Sequence, residues 1–237
     1  MILNDAGQET SREWQYLGWW GRVNANYVPV LSESKNDAKR LGTFYSDNVI
    51  KVLGIKKVGG SLWYQIDGGR YPGAYVNSRF VSAIAQPTPV QNLVIPAKAG
   101  DYWIDVDLSK KILTLYKSDQ VIMATYIATG DVATLTIRGT YNVWLKVKKT
   151  RMTGAPPLAT HVYDLPDVPW VMYYKGSYSV HGTYWHDNFG SQRSAGCTNV
   201  TQGDAKFIFN LTSPDIGTLN SVRSTINNPG VVVNNHY

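Results

Sequence analysis

Short apolar runs, cut off repeatedly by glycine-, asparagine- and aspartate-rich turns, restrict this chain to β architecture. Eight Trp and sixteen Tyr join many Val, Ile and Thr, side chains that suit a pleated surface better than a helix. The runs Arg22–Val30, Asp47–Val52, Ser61–Ile66 and Ala74–Val81 read as strands. They are separated by the polar Ser32–Lys39 stretch and by Gly59-Gly60 and Gly68-Gly69. Strands of this length at this spacing predict a small β-barrel. No run of about 18 apolar residues occurs, so no helical membrane span is expected.

Residues 84–100 interrupt the pattern with Pro87, Pro89 and Pro96 in an alanine-rich stretch. Proline removes backbone donors, which predicts an extended, exposed connection. The expected division is a first domain over 15–85, a linker over 86–99 and a second domain over 100–225. With 43% hydrophobic and 17% charged residues, both parts are globular rather than disordered.

Beyond the linker, Trp103–Leu108 and Ile112–Tyr116 flank a turn at Ser109-Lys110-Lys111. Further strands are predicted over Val121–Thr129, Gly139–Leu145, Trp170–Tyr174 and Ser177–His181. The proline-containing segment 146–169, basic at its start, shows no period and reads as a long loop, of the kind that serves as a lid. One helix is predicted after Thr201-Gln202-Gly203-Asp204, with Thr201 capping and Asp204 reaching back. Ala205, Ile208 and Phe209 then share one face.

Cys197 is the only cysteine in 237 residues. Its thiol cannot form an internal disulfide and is free to act as nucleophile, metal ligand or small core residue. An ordinary thiol, of pKa about 8.5, is only a few per cent thiolate at neutral pH and needs a base. His181, closing a predicted strand, supplies a rigidly placed imidazole. Gly196 permits a tight turn, and the amides of Gly196 and Cys197 can face an attacked carbonyl oxygen. The turn lies shortly before a predicted helix N-terminus, whose partial positive charge favours thiolate.

His181-Gly182-Thr183, a glycine-containing loop and Arg193-Ser194-Ala195-Gly196-Cys197-Thr198-Asn199 resemble the signature of YkuD-type L,D-transpeptidases. The Trp103–Leu108 hairpin, Thr129-Gly130 and Gly139-Thr140-Tyr141 fall in the order that family uses, and the resemblance covers roughly residues 100–225. It implies a mainly β, sandwich-type catalytic domain with one or two short helices. The implied reaction is attack by cysteine on the peptide bond before the terminal D-alanine of a tetrapeptide stem, followed by transfer to an amine acceptor, giving a 3→3 peptidoglycan cross-link. By position, Cys197 is the nucleophile, His181 the base, and Gly182 orients the imidazole through its carbonyl. Ser194 and Asn199 brace the turn, and Arg193 lies at the cleft edge near the substrate carboxylate. Thr183, Tyr184 and Trp185 complete the expected substrate-binding set. The family usually carries histidine where this chain has Ala195, which leaves His181 as the motif histidine. A catalytically impaired peptidoglycan-binding protein and an L,D-carboxypeptidase using the same cysteine are the competing readings.

The first region resembles a bacterial Src-homology-3-like domain through Val23–Val30, Gly42, Leu62–Ile66 and Gly73-Ala74-Tyr75-Val76. The last of these is usually Gly-Trp-Val. No metal or organic cofactor is implied; a zinc site from His181, His186 and Cys197 matches no structural spacing. His186, in a loop beside Asp187, reads as solvated, and Lys146–Arg151 as a solvated basic face or a lid contact for acidic stems. The net charge of +6 suits a polyanionic wall; the basic residues are scattered and no nucleic-acid motif occurs. The stretch MILNDAGQETSREW lacks the basic and apolar regions of a secretory signal. A monomer, secreted or wall-associated and beginning after its signal, is the expectation, with a cytosolic protein as the other.

Overall fold

The structure, a computed structural model, describes residues 18–89, 95–96, 100–154 and 163–237. The expected domain start at residue 15, linker residues 90–94 and 97–99, and residues 155–162 of the expected lid lie outside the described residues. The chain is mainly β, with one α-helix among the described residues. It divides into two compact units. The first runs to Gln86 and includes Tyr184–Asp187; the second comprises Pro87–Thr183 and Asn188–Tyr237.

The first unit holds β1 (Trp19–Val23), β2 (Val28–Leu31), β3 (Arg40–Phe44), β4 (Val49–Val58), β5 (Ser61–Asp67), β6 (Tyr75–Asn77) and β7 (Val81–Ala83). They form one sheet in the order β3-β2-β6-β5-β4-β1-β7. Alternation along β2 turns Val28 and Val30 inward, where they meet Val23, Phe44, Ile50, Ile66 and Val76. The single strand expected over Arg22–Val30 is two strands, because Tyr27 takes a left-handed φ of 62° and turns the chain. Ala74–Val81 also divides: Asn77 accepts from the Arg79 amide at 3.2 Å and caps a 3₁₀ turn between β6 and β7.

The second unit contains two sheets. One has the order β10-β9-β8-β19-β12, from β8 (Tyr102–Asp107), β9 (Ile112–Lys117), β10 (Gln120–Tyr126), β12 (Gly139–Asn142) and β19 (Val232–His236). The other runs β16-β11-β17-β15-β14-β13-β18. Its strands are β11 (Ala128–Gly130), β13 (Leu145–Gly154), β14 (Tyr163–Lys175), β15 (Tyr178–Gly182), β16 (Ser191–Ser194), β17 (Thr198–Val200) and β18 (Ser221–Arg223). The hairpin β8–β9 forms as expected. Asp107 accepts from the Ser109 and Lys110 amides at 3.0 and 2.8 Å and closes its turn.

Three expectations are corrected. Val121–Thr129 breaks into β10 and β11, which belong to different sheets. Gly139–Leu145 likewise ends as β12, and β13 begins a new strand at Leu145. Of the segment 146–169, the described residues 146–154 and 163–169 are strand rather than loop; β13 and β14 pair antiparallel from Leu145↔Tyr173 to Gly154↔Tyr163.

Helix α1 (Gln202–Leu211) packs on β14 and β15. Thr201 Oγ1 accepts from the Asp204 amide at 3.2 Å, as a capping residue should. The Asp204 carboxylate accepts from Thr125 Oγ1 of β10 at 2.6 Å, so this acid binds the helix to the five-stranded sheet. At the other end Lys146 Nζ donates to the carbonyls of Phe209 and Thr212, both at 2.6 Å. Burial pushes this ammonium down to about 8. The basic run is therefore not a uniformly solvated face: Lys146 is 1% exposed, and Arg151 pairs with Asp164 across the hairpin.

Candidate active site

Strands β15 and β17 run parallel and adjacent, with Val180 opposite Thr198, His181 opposite Asn199 and Gly182 opposite Val200. Side chains alternate along a strand, so Ser179 and His181 share one face of β15. Cys197 and Asn199 occupy the neighbouring positions. The result is two rungs: Ser179 Oγ lies 3.5 Å from Cys197 Sγ, and Asn199 Nδ2 lies 3.0 Å from His181 Nε2.

His181 is buried, and its Nδ1 donates to the Gly182 carbonyl at 3.0 Å. A carbonyl can only accept, so the neutral ring carries its proton on Nδ1 and Nε2 accepts from the Asn199 amide. Around the sulfur, the Ser177 carbonyl is 3.6 Å away and accepts from the thiol. Burial pushes the Cys197 thiol up, and hydrogen bonds from the Ser179 side chain and main chain oppose that shift. Burial also pushes up the hydroxyls of Tyr163, Tyr173 and Tyr174, with a further push from the nearby sulfur.

The cysteine turn is braced from inside and from a second loop. Ser194 Oγ donates to the Cys197 carbonyl at 2.5 Å and accepts from the Gly196 amide at 3.1 Å. That amide is thus committed to Ser194 rather than to an attacked carbonyl. Thr134 Oγ1 donates to the Ser194 carbonyl at 3.1 Å, and Thr136 Oγ1 to the Gly196 carbonyl at 2.9 Å. Gly196 itself is held at φ +118° with Tyr178 packed over it. Ser179, Thr134, Thr136 and Tyr178 were not expected from sequence. For Ser179 the strand period was a signal; for the threonines, some sixty positions from the turn, there was none.

Two expectations change. Strand β17 and the extended cap Thr201 separate the cysteine from helix α1 by four residues, about 13 Å of extended chain, and the field of a helix terminus fades within its first turn. The loop histidine is not solvated: His186 and Asp187 are 4% and 1% exposed. Asp187 accepts from the Gly69 amide at 2.7 Å and from the Arg70 amide and Nε at 3.2 and 2.6 Å. Tyr184 and Trp185 meet edge to face at 5.0 Å and belong with these residues to the first unit. In the second unit Thr183 is buried, its amide donating to the Val200 carbonyl at 3.1 Å, and Arg193 is exposed on β16. Among the described residues no group of three or more His, Cys, Asp or Glu is placed to hold a metal ion. No helix among them is long and apolar enough to cross a membrane.

Fold and site together define a mainly β protein whose single cysteine stands in a braced glycine turn, one rung from a buried strand-borne histidine. Residues 101–226 match the L,D-transpeptidase catalytic domain, YkuD, and the chain belongs to that family, whose members act on peptidoglycan peptides. No curated protein matches the chain. Among solved structures, a mutant of the Enterococcus faecium L,D-transpeptidase aligns at 23% identity and TM-score 0.46, over 58% of this chain and 50% of that one. The chain thus spans half the length of that protein. The catalytic domain from E. faecium aligns at 24% identity and TM-score 0.46, over 59% and 100%. The L,D-transpeptidase from Mycobacterium smegmatis aligns at 14% identity and TM-score 0.48, over 79% and 99%.

Proposed function

We propose that the chain is a cysteine-dependent L,D-transpeptidase that forms 3→3 peptidoglycan cross-links through an acyl-enzyme on Cys197. The observation that carries this reading is the pair of rungs that sets the thiol beside Ser179 and one step from His181. Cys197 Sγ attacks the carbonyl before the terminal D-alanine of a tetrapeptide stem, and the thiol proton passes to His181 Nε2. The C–N bond breaks, His181 returns the proton to the leaving D-alanine amine, and a thioester remains. An acceptor amine then attacks the thioester, the C–S bond breaks, and the proton released by the amine restores the thiol.

Protonation of Nε2 reverses its role from acceptor to donor, so the Asn199 amide must turn its oxygen to the ring at that step. Because Ser194 holds the Gly196 amide, the oxyanion rests on the Cys197 side of the turn. Exposed Arg193 meets the stem carboxylate at the cleft edge, with Thr183, Tyr184 and Trp185 as further substrate contacts. The first unit is a Src-homology-3-like wall-binding module, within residues 15–85 and joined through 86–99. The enzyme works outside the cytoplasm, at the wall, as a monomer.

The E. faecium catalytic domain has been described acylated by ertapenem, which makes ertapenem the probe. Intact mass should show one adduct on the wild type and none on Cys197→Ala. An unmodified wild type would favour a peptidoglycan-binding protein without activity. A tetrapeptide stem incubated with an amine acceptor should yield the cross-linked dimer; tripeptide alone would make the enzyme an L,D-carboxypeptidase.

A further inference from the structure

We propose that Ser179 is a catalytic residue whose hydroxyl donates to Cys197 Sγ and stabilises the thiolate used in acyl transfer. The inference rests on reading Cys197 as the nucleophile. Parallel pairing of β15 and β17 fixes the contact: one position before the Val180–Thr198 pair, Ser179 comes to the side of the cysteine. Its Oγ is 3.5 Å from the sulfur, and the residue is fully buried, so water does not compete for the hydroxyl.

The surroundings of the sulfur give that hydroxyl its task. As a thiol, the sulfur donates its proton toward the Ser177 carbonyl at 3.6 Å. Once the proton leaves, that oxygen faces an anion and offers it nothing. The Ser179 hydroxyl then becomes a charge-assisted donor to the sulfur, which strengthens as charge develops there. Other titratable groups face the same space. Tyr163, Tyr173 and Tyr174 are all pushed above their ordinary values by burial. His181 occupies the next rung, with Nε2 on Asn199. The Ser179 side chain and main chain are the groups that pull the thiol down against its burial.

Alkylation of Cys197 by iodoacetamide, followed across pH in the full chain, reports the thiolate without any stem peptide. Ser179→Ala should move the rate profile upward by about one pH unit, with alkylation about tenfold slower on its acid limb. Ser179→Thr keeps the hydroxyl and should retain the wild-type profile. Thermal melting of each variant confirms that it is folded at the assay temperature, and Ser179→Thr carries the test should the alanine variant melt below it. An alanine profile that superimposes on the wild type overturns the proposal, as does a folded threonine variant displaced toward higher pH. A chain that forms no cross-link yet shows these profiles loses the transpeptidase reading and keeps this one.

Discussion

Gly196 is held at φ +118°, and a methyl group there would lie 2.8 Å from Tyr178 Cε1. A side chain therefore meets both backbone strain and a ring that β15 holds in place. Gly196→Ala should cost about 1–3 kcal/mol in thermal melting. It should also slow ertapenem acylation by about a hundredfold, because displacing the sulfur by about 1 Å spoils attack geometry. At this scale much of the candidate site was legible. A lone cysteine, the glycine before it and a strand-borne histidine lie close in sequence, and their chemistry follows from residue type. Ser179 was half legible, since strand alternation places it on the face of His181. That this face meets Cys197 depends on the pairing of β15 with β17, which no local spacing reveals. The threonine braces depend on the loop after β11 folding back on the turn, and are equally non-local.

Among the elements, β19 carries an ion pair outside the site: His236 Nε2 lies 3.0 and 3.1 Å from the two oxygens of buried Asp105 on β8. Asp105 is pushed up by burial, with His236 opposing. Burial lowers His236, but the hydrogen bond and charge of Asp105 outweigh it and its value rises. A raised folded value gives stability that is full below the unfolded value and lost as pH rises through the folded one. For Asp105 that loss begins above about pH 3.9, and for His236 above about pH 6.5. Both act in the same direction, so the melting temperature should fall as pH rises from mildly acidic to about pH 8, where the depressed Lys146 begins to act the other way. His236→Gln should remove the upper window and lower stability at pH 6 by about 1 kcal/mol. A variant that keeps the wild-type slope above neutrality would show that the pair does not set it. The hairpin β13–β14 was the element least legible in sequence. Pro166 and Pro169 interrupt its donors, Asp167 and Trp170 take positive φ, and the register shifts between Thr150 and Met152. Each irregularity breaks the two-residue period that marks a strand.

For the whole molecule, the family match ends at residue 226, next to the domain end at 225 expected from the sequence. The second unit nevertheless continues to Tyr237. Strand β19 lies inside the five-stranded sheet, parallel to β8 over Val232–His236 and antiparallel to β12 over Val232–Asn235. A signal for it exists in Val231-Val232-Val233 directly after Pro229-Gly230, a short apolar run behind a turn. Its place between β8 and β12 is set by topology alone. Removing it would separate β8 from β12, take away Val231, Val232 and Val233, each 2% exposed or less, and bare Trp103 and Tyr116, which pack with Val232. At about 1.5–3 kcal/mol per buried valine, the loss approaches the 5–15 kcal/mol that stabilises an ordinary domain. Chains ending after Thr225 should therefore give no cooperative melting transition from the second unit and no ertapenem adduct, although Cys197, His181 and Ser179 are all retained. Chains beginning at Pro87 and running to Tyr237 keep every strand of both sheets, and should melt cooperatively and take up one ertapenem. An adduct on the shortened chain would show that the cysteine turn is held without β19, by the seven-stranded sheet and α1 alone.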